Sequence, residues 1–255
     1  MEGADRSLPG KLRRRLAKLQ HRRPARRGPG RAMVSIAFDD APASAADLGA
    51  MILEARGVRG TWFLCGGLMG EDGPMGRNAS ADEARHLVAA GHEVGCHTHS
   101  HINCGRAGEA ALAAEASRNR EALVGLGAAE PEVFAYPFGE VSGAAKRALE
   151  GRFTLMRALH HGLIAEGSDL NQAPAVGIEG PGGEATARRW LQRALEQKAW
   201  LILYTHDVRP DPSAFGCTPE ALGRLVDQAL EGGAEVVTVG EGARRMAGLA
   251  GGGSA

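Results

Sequence analysis

Aromatic side chains are scarce in this chain of 255 residues, with six Phe, three Trp and two Tyr, so any core must be filled mainly by Ala, Leu and Val. No run of about 18 apolar residues occurs, which excludes a membrane-spanning helix. The four cysteines, Cys65, Cys96, Cys104 and Cys217, include no C-x-x-C pair and no compact disulfide framework. They read as reduced thiols of a cytosolic protein. Near the N-terminus there is no continuous apolar stretch of roughly 7–15 residues, which a secretory signal needs. Internal repeats are absent as well. Together these gaps exclude a collagen, a coiled coil, a disulfide knot and an integral membrane protein. Glycine is plentiful, at 37 residues, and the apolar fraction of 44% suffices for a sizeable core with tight turns between short elements.

The net charge of zero hides an asymmetry. Residues 1–31 hold eleven Lys and Arg against two acids, an excess of nine positive charges that the acidic remainder cancels. An acidic body argues against nucleic-acid binding. Leu8, Leu12, Leu16 and Leu19 are threaded between the arginines, and Leu12, Leu16 and Leu19 would share one face of a helix. Residues 1–31 are therefore expected to be a basic, flexible tail, whose sharpest use would be contact with anionic headgroups at the inner membrane surface. Residues 248–255 read as a flexible end, leaving 32–247 as a single α/β domain.

Within that domain strand-like and helix-like segments alternate. Residues 33–37, 60–64, 93–96, 133–136, 153–156, 200–204 and 236–239 read as strands. Helices are expected over about 44–55, 81–91, 109–126, 143–149, 184–198 and 219–231. Ser80 with Glu83 fits a capping box, and Thr218-Pro219 fits a capping residue followed by proline at the first helical position. Such alternation predicts a parallel sheet wrapped in helices, and seven or eight strands suit a barrel.

The polar residues sit where these strands end. Phe38-Asp39-Asp40-Ala41-Pro42 follows the first, His97-Thr98-His99-Ser100-His101 the third, Pro137-Phe138-Gly139 the fourth and Thr205-His206-Asp207 the sixth. In parallel α/β folds the carboxyl ends of the strands form the active face. An Asp-Asp dipeptide alone is a turn or a helix cap. Here its diverging side chains would let one carboxylate ligate a cation while the other faces substrate. Three histidines within five residues point to metal binding. If their segment turns helically, His97 and His101 share a face; if it stays extended, all three line one side. Imidazole nitrogens with one carboxylate suit a divalent cation, zinc first, with cobalt, nickel and manganese also compatible. Two histidines with Asp40 would leave a coordination position open for water, as a catalytic site requires.

In their order, Phe38-Asp39-Asp40, His97-Thr98-His99-Ser100-His101, Tyr136-Pro137-Phe138-Gly139 and Leu201-Ile202-Leu203-Tyr204-Thr205-His206 resemble the successive motifs of the NodB-type polysaccharide deacetylases (carbohydrate esterase family four). The resemblance spans about residues 33–240. It implies a distorted (β/α)7-type barrel and a metal-dependent hydrolase of non-peptide carbon-nitrogen bonds. Such an enzyme removes N-acetyl or O-acetyl groups from an acetylated sugar, oligosaccharide or lipid-linked glycan. It further implies that Asp40, His97 and His101 hold the metal, that Asp39 is the general base and His206 the general acid, and that the backbone N–H of Phe138 donates to the oxyanion. Pro137, Phe138, Tyr204, His99 and Trp62 are the expected substrate-lining residues. With so few aromatics the cleft should be short.

The chain also departs from the pattern. The arginine that usually stands two positions before the motif proline, bracing the base aspartate, is Ala135. No Asp-x-x-Asp-Trp motif is present to tune the acid histidine, and Ala41 replaces the glycine after the Asp pair. Arg157, just past a strand, is the expected substitute brace; Asp207 is expected to cap a loop. Two rivals follow: another barrel hydrolase, an amidohydrolase or phosphoesterase, in which His97, His99 and His101 all ligate, or a catalytically impaired carbohydrate-binding relative. Without a secretory signal the expected location is cytoplasmic, peripheral at the inner membrane surface. A soluble or lipid-linked acetylated sugar is the expected partner.

Overall fold

The computed structural model describes residues 7–249. Seven parallel strands form its core sheet: β1 Met33–Asp39, β2 Thr61–Leu64, β3 Glu93–Cys96, β4 Val133–Ala135, β5 Leu155–Arg157, β6 Val176–Gly177 and β7 Trp200–Thr205. They lie in the order β5-β4-β3-β2-β1-β7-β6. Because helices cover such a sheet, its strands are buried on both faces and read as apolar runs rather than alternations; all seven residues of β1 are buried. The period of two still sorts them. Val34, Ile36 and Phe38 pack towards the helices, and Met33 and Ala37 pack inward, so Asp39 emerges on the inner side at the carboxyl end.

The sheet curls into a half-barrel, the expected distorted (β/α) architecture in a single domain. Its edges meet at one bridge, Arg157 beside Ala173. There Ala173 N–H donates to the Met156 carbonyl and Ala158 N–H to the Ala173 carbonyl, each at 2.9 Å. The helices are α1 Leu8–Ala17, α2 Ala50–Glu54, preceded by a π-helical turn over Ala45–Gly49, α3 Ala81–Ala89, α4 Glu109–Val124, α5 Gly143–Leu149, α6 Gly183–Gln197, α7 Pro219–Glu231 and α8 Val239–Ala247. The capping box opens α3, with Ser80 N–H donating to Glu83 at 2.6 Å and Glu83 N–H to Ser80 Oγ at 3.3 Å. Thr218 caps α7 through Ala221 N–H, with Pro219 in the first turn. At the amino end Trp200 is fully buried, its indole N–H donating to Ser35 Oγ at 3.0 Å. Gly242 of α8 lies so close to this ring that a Cβ would sit 2.4 Å from it.

Several expectations change. A strand over 236–239 is cut short: Glu235–Val236 (β8) pairs beside Met33 and Val34, then Thr238 accepts from Glu241 N–H and α8 begins. Residues 173–177, not expected as a strand, supply β6. Ser44 does not cap its helix, since its own backbone is already helical.

The basic segment, expected to be flexible, is docked over most of its described length. Ala17 is fully buried, and the fully buried Lys146 ammonium donates to the carbonyls of Ala17 at 2.5 Å and Gln20 at 3.1 Å. Asn171 donates to the His21 carbonyl, Ala25 N–H to Ser168 and Arg26 N–H to Met246. Charge composition missed this because the anchors are backbone groups, which every residue carries. At the other end Gly248 closes α8 in a left-handed turn. Residues 1–6 of the expected tail and 250–255 of the expected C-terminal end lie outside the described residues.

Candidate active site

The carboxyl ends of β1, β3, β4, β5, β6 and β7 deliver the site. β1 ends in Asp39 and turns through Asp40 and Ala41, both left-handed, with φ of 55° and 46°. Thr98 (61°), His101 (55°) and Phe138 (59°) are left-handed too. Five of the seven left-handed non-glycine residues among the described residues thus belong to the motif turns, and such backbone is costly unless its surroundings enforce it. Ala41 occupies the position where the family pattern has glycine, and its φ shows why glycine suits it.

Asp40, His97 and His101 converge: their ligand atoms lie within 4.8 Å of one another, the one such metal-competent group among the described residues. Asp40 Oδ1 is 3.4 Å from His97 Nε2 and 3.1 Å from His101 Nε2, yet this buried oxygen makes no hydrogen bond. His97 Nδ1 lies 2.8 Å from the Ala135 carbonyl. A carbonyl only accepts, so Nδ1 carries the proton and Nε2 turns its lone pair towards Asp40. Burial, with His97 beside it, lowers the pKa of His101 to about 4, leaving that imidazole neutral and able to ligate. Burial opposes the charge of Asp40, but the surrounding imidazoles of His97, His101 and His206 outweigh it and hold the carboxyl well below the usual carboxylate range. Two neutral nitrogens and a carboxylate aimed at one another, with an oxygen left unpartnered, fit a divalent cation.

His99 does not join them. Its N–H donates to Glu115 at 3.0 Å, its carbonyl accepts from Gly67 N–H, and its ring abuts Gly66 and Gly67. The extended arrangement, with three histidines on one side, is therefore not adopted, and the rival built on three histidine ligands loses its geometry. Glu115 also accepts from Ser100 N–H at 2.8 Å and Ser100 Oγ at 3.0 Å. One turn along α4, Asn119 donates to the Leu64 carbonyl at 2.9 Å and accepts from Gly66 N–H at 2.6 Å. Together the two side chains hold the histidine loop and the loop after β2. Sequence reading missed them; the available signal was a polar pair, four residues apart, on the face of α4 that also carries Leu112, Ala116 and Leu123.

Asp39 pairs with Arg157 Nη2, both buried. Ala135 and Arg157 are register partners on β4 and β5, so the guanidinium arrives from the neighbouring strand. It lies 5.0 Å from the Phe63 ring centroid and 5.1 Å from that of Tyr204, and these faces hold the cation. His206 finds a partner the sequence reading did not identify: Glu179 Oε1, 2.8 Å from His206 Nδ1, with Tyr204 Oη 3.2 Å from Glu179 Oε2. Burial alone would lower the pKa of His206. The Glu179 hydrogen bond, with the carboxylates of Asp39 and Asp40, pushes it up to about 9 instead. The signal for Glu179 was its place two residues beyond β6, the strand that went unrecognised. Asp207 is fully buried and accepts from Ser213 N–H at 2.8 Å, as expected of a loop cap.

The substrate-lining set needs correction. Trp62 is 0% exposed, stacked on Phe38 with centroids 4.5 Å apart, because its face of β2 points into the helix layer. Tyr204 is buried beneath Arg157, and Pro137 is buried in its turn. Phe138 is half-buried with its ring 4.5 Å from that of His101. An aromatic the sequence reading passed over, Phe215, is 43% exposed and 5.7 Å from the His206 ring.

The polysaccharide deacetylase family model matches residues 26–151. No curated protein matches the sequence. Among solved structures, a Mycobacterium smegmatis protein provisionally named a polysaccharide deacetylase is 19% identical, with 88% of this chain and 94% of that one covered and a TM-score of 0.68. A family 4 acetyl xylan esterase from Clostridium thermocellum, in complex with cobalt, is 19% identical, with 85% and 92% covered and a TM-score of 0.59. The Xyl-CE4 domain of a multidomain xylanase from the hindgut metagenome of Trinervitermes trinervoides is 17% identical, with 86% and 92% covered and a TM-score of 0.60. At such identities the structures establish a shared fold. Residues 26–151 thus match the polysaccharide deacetylase family model, and the chain shares the fold of these solved structures over most of its length.

Proposed function

We propose that this protein is a hydrolase that removes acetyl groups from an acetylated carbohydrate, with Asp39 as general base and His206 as general acid. The observation that carries the reading is the division of labour within the Asp pair. Arg157 engages Asp39, while Asp40 faces His97 and His101 with an unpartnered oxygen. A divalent cation held by Asp40, His97 and His101 supplies, when bound, Lewis acidity towards an acyl oxygen and acidity to a water molecule. Asp39 accepts the proton of the attacking water, and Arg157 keeps that carboxylate oriented. The Phe138 N–H donates to the oxygen that becomes anionic as the tetrahedral centre forms. His206 then gives its proton to the departing amine, or to the departing hydroxyl of an ester. The carbon-nitrogen bond breaks, and acetate and a free amine leave. Glu179 keeps His206 protonated at neutral pH. General acid and general base terms of this kind are each worth about 10²–10⁴-fold. Phe138 and Phe215 are the aromatic surfaces left for a sugar ring.

Acetate release from short N-acetylglucosamine oligomers and from acetylated xylan tests the reading, with the protein as prepared, metal-stripped and reloaded with zinc or cobalt. Release should vanish on stripping and in Asp39→Asn, and return on reloading. Metal binding without release from either polymer would favour the impaired carbohydrate-binding relative, which Ala135 in place of the motif arginine suggests. Undiminished release by stripped protein would overturn the mechanism.

A further inference from the structure

Helix α1 packs against the barrel with its apolar side outward. At about 100° per residue, Leu8, Leu12 and Leu16 occupy one narrow arc, and the small residues Gly10 and Ala17 lie opposite. Among the helix residues whose burial is described, Gly10 and Ala17 are the buried ones. The leucines are 80%, 59% and 46% exposed, and Leu19 in the following turn is 77% exposed. Four of the nine large apolar side chains exposed among the described residues are therefore gathered in this one segment. A free amphipathic helix would fold its leucines inward. This one cannot, because Lys146 grips the Ala17 and Gln20 carbonyls and fixes the opposite side to the body.

Directly after the helix, Lys18 and Arg22 line a cavity of about 300 Å³ together with His160, His161 and Ser168. Its acidic wall, Asp169, is engaged by the Lys146 ammonium at 2.7 Å and by the N–H groups of Arg23 and Asn171. The uncompensated charge at the cavity is therefore cationic. His160 adds a buried Nδ1 with no partner.

We propose that α1 and this cavity form a docking surface for an anionic phospholipid membrane, with the leucines entering the acyl boundary and a headgroup phosphate seated at Lys18 and Arg22. Charge chooses this occupant over a second copy of the chain. Residues 1–31 carry nine excess positive charges, so pairing two such segments brings like charges together, whereas an anionic surface complements them. The proposal is independent of the catalytic reading.

Co-sedimentation of the full-length protein with vesicles of phosphatidylcholine alone, or mixed with phosphatidylglycerol, tests it at low and physiological salt. Binding is expected on the mixed vesicles, weakening as salt rises. Leu12→Glu/Leu16→Glu should lose it by at least about a hundredfold, since two leucine side chains are withheld from the lipid. Lys18→Ala/Arg22→Ala should lose about thirtyfold, roughly fivefold per cation. Both pairs are exposed, so circular dichroism should show the native fold, and acetate release from soluble oligomers should be unchanged. Wild-type protein that ignores the mixed vesicles, or a Leu12→Glu/Leu16→Glu variant that binds them normally, overturns the proposal. So does a wild-type dimer that the leucine variants convert to monomer. Inorganic phosphate that binds the wild type and the leucine variants equally, with no vesicle binding, would assign the cavity to a soluble phosphate instead.

Discussion

A glutamate outside every recognisable motif, Glu179, raises the pKa of His206, the proposed general acid. With His206 at about 9 in the folded protein and about 6.5 when unfolded, the imidazolium persists through neutral pH. Its contribution to stability is whole below pH 6.5 and is lost as the pH climbs towards 9. Glu179→Gln removes the charge but keeps the shape. The alkaline limb of kcat should then move acidward by at least about one pH unit, and a limb that stays put would detach Glu179 from the acid. Arg157 is a second positioning residue. Arg157→Lys keeps a cation beneath Asp39 but loses the planar guanidinium held at the Phe63 and Tyr204 rings, and should lower kcat about tenfold or more while leaving KM within a few-fold. Equal losses in kcat and in thermal midpoint would mean that it serves stability alone. Phe215, exposed beside His206, is proposed as a surface for the sugar ring. Phe215→Ala should raise KM for oligomers several-fold with little effect on kcat.

Among the elements, α5 carries a residue whose removal separates docking from folding. Lys146→Met withdraws the ammonium from Asp169 Oδ2 and from two carbonyls of the N-terminal segment. Breaking such a buried pair costs about 3–5 kcal/mol, which a denaturant titration would read as a lowered midpoint. Limited proteolysis should then cut between α1 and β1, where the wild-type segment resists. β4 and β5 show how elements exchange a function. The brace that the motif places two residues before Pro137 is absent at Ala135, and its register partner Arg157 takes its place. The Ala135 carbonyl meanwhile orients His97.

Taken as a whole, the molecule should couple metal to stability. Asp40, His97 and His101 follow the carboxyl ends of β1 and β3, which β2 joins, so a cation bound there would tie the centre of the sheet together. Zinc at about a hundredfold excess over its Kd should stabilise the fold by about 2.7 kcal/mol. Differential scanning would show this as a raised midpoint, abolished by chelator and absent in Asp40→Asn. A midpoint indifferent to metal would count against the site. No helix of the described residues is long and apolar enough to cross a membrane, and all four cysteines are free and buried.

Residue types and their spacing alone pointed to a parallel sheet wrapped in helices and to four polar loops at its strand ends, whereas the choice of His97 and His101 as partners of Asp40 rested on the family resemblance. The sheet and its loops are local patterns: apolar runs mark buried strands, and motif residues follow their carboxyl ends. The three-dimensional packing decided the rest. It turned His99 away, because Glu115 and Gly67 hold its backbone. It buried Trp62 and Tyr204, because strand faces are assigned by the whole sheet. It brought Glu179 to His206 from a two-residue strand too short to show a period, and it docked a basic segment through carbonyl groups that composition cannot reveal. Contacts made by the backbone, or across strands distant in the chain, leave little trace in a single sequence.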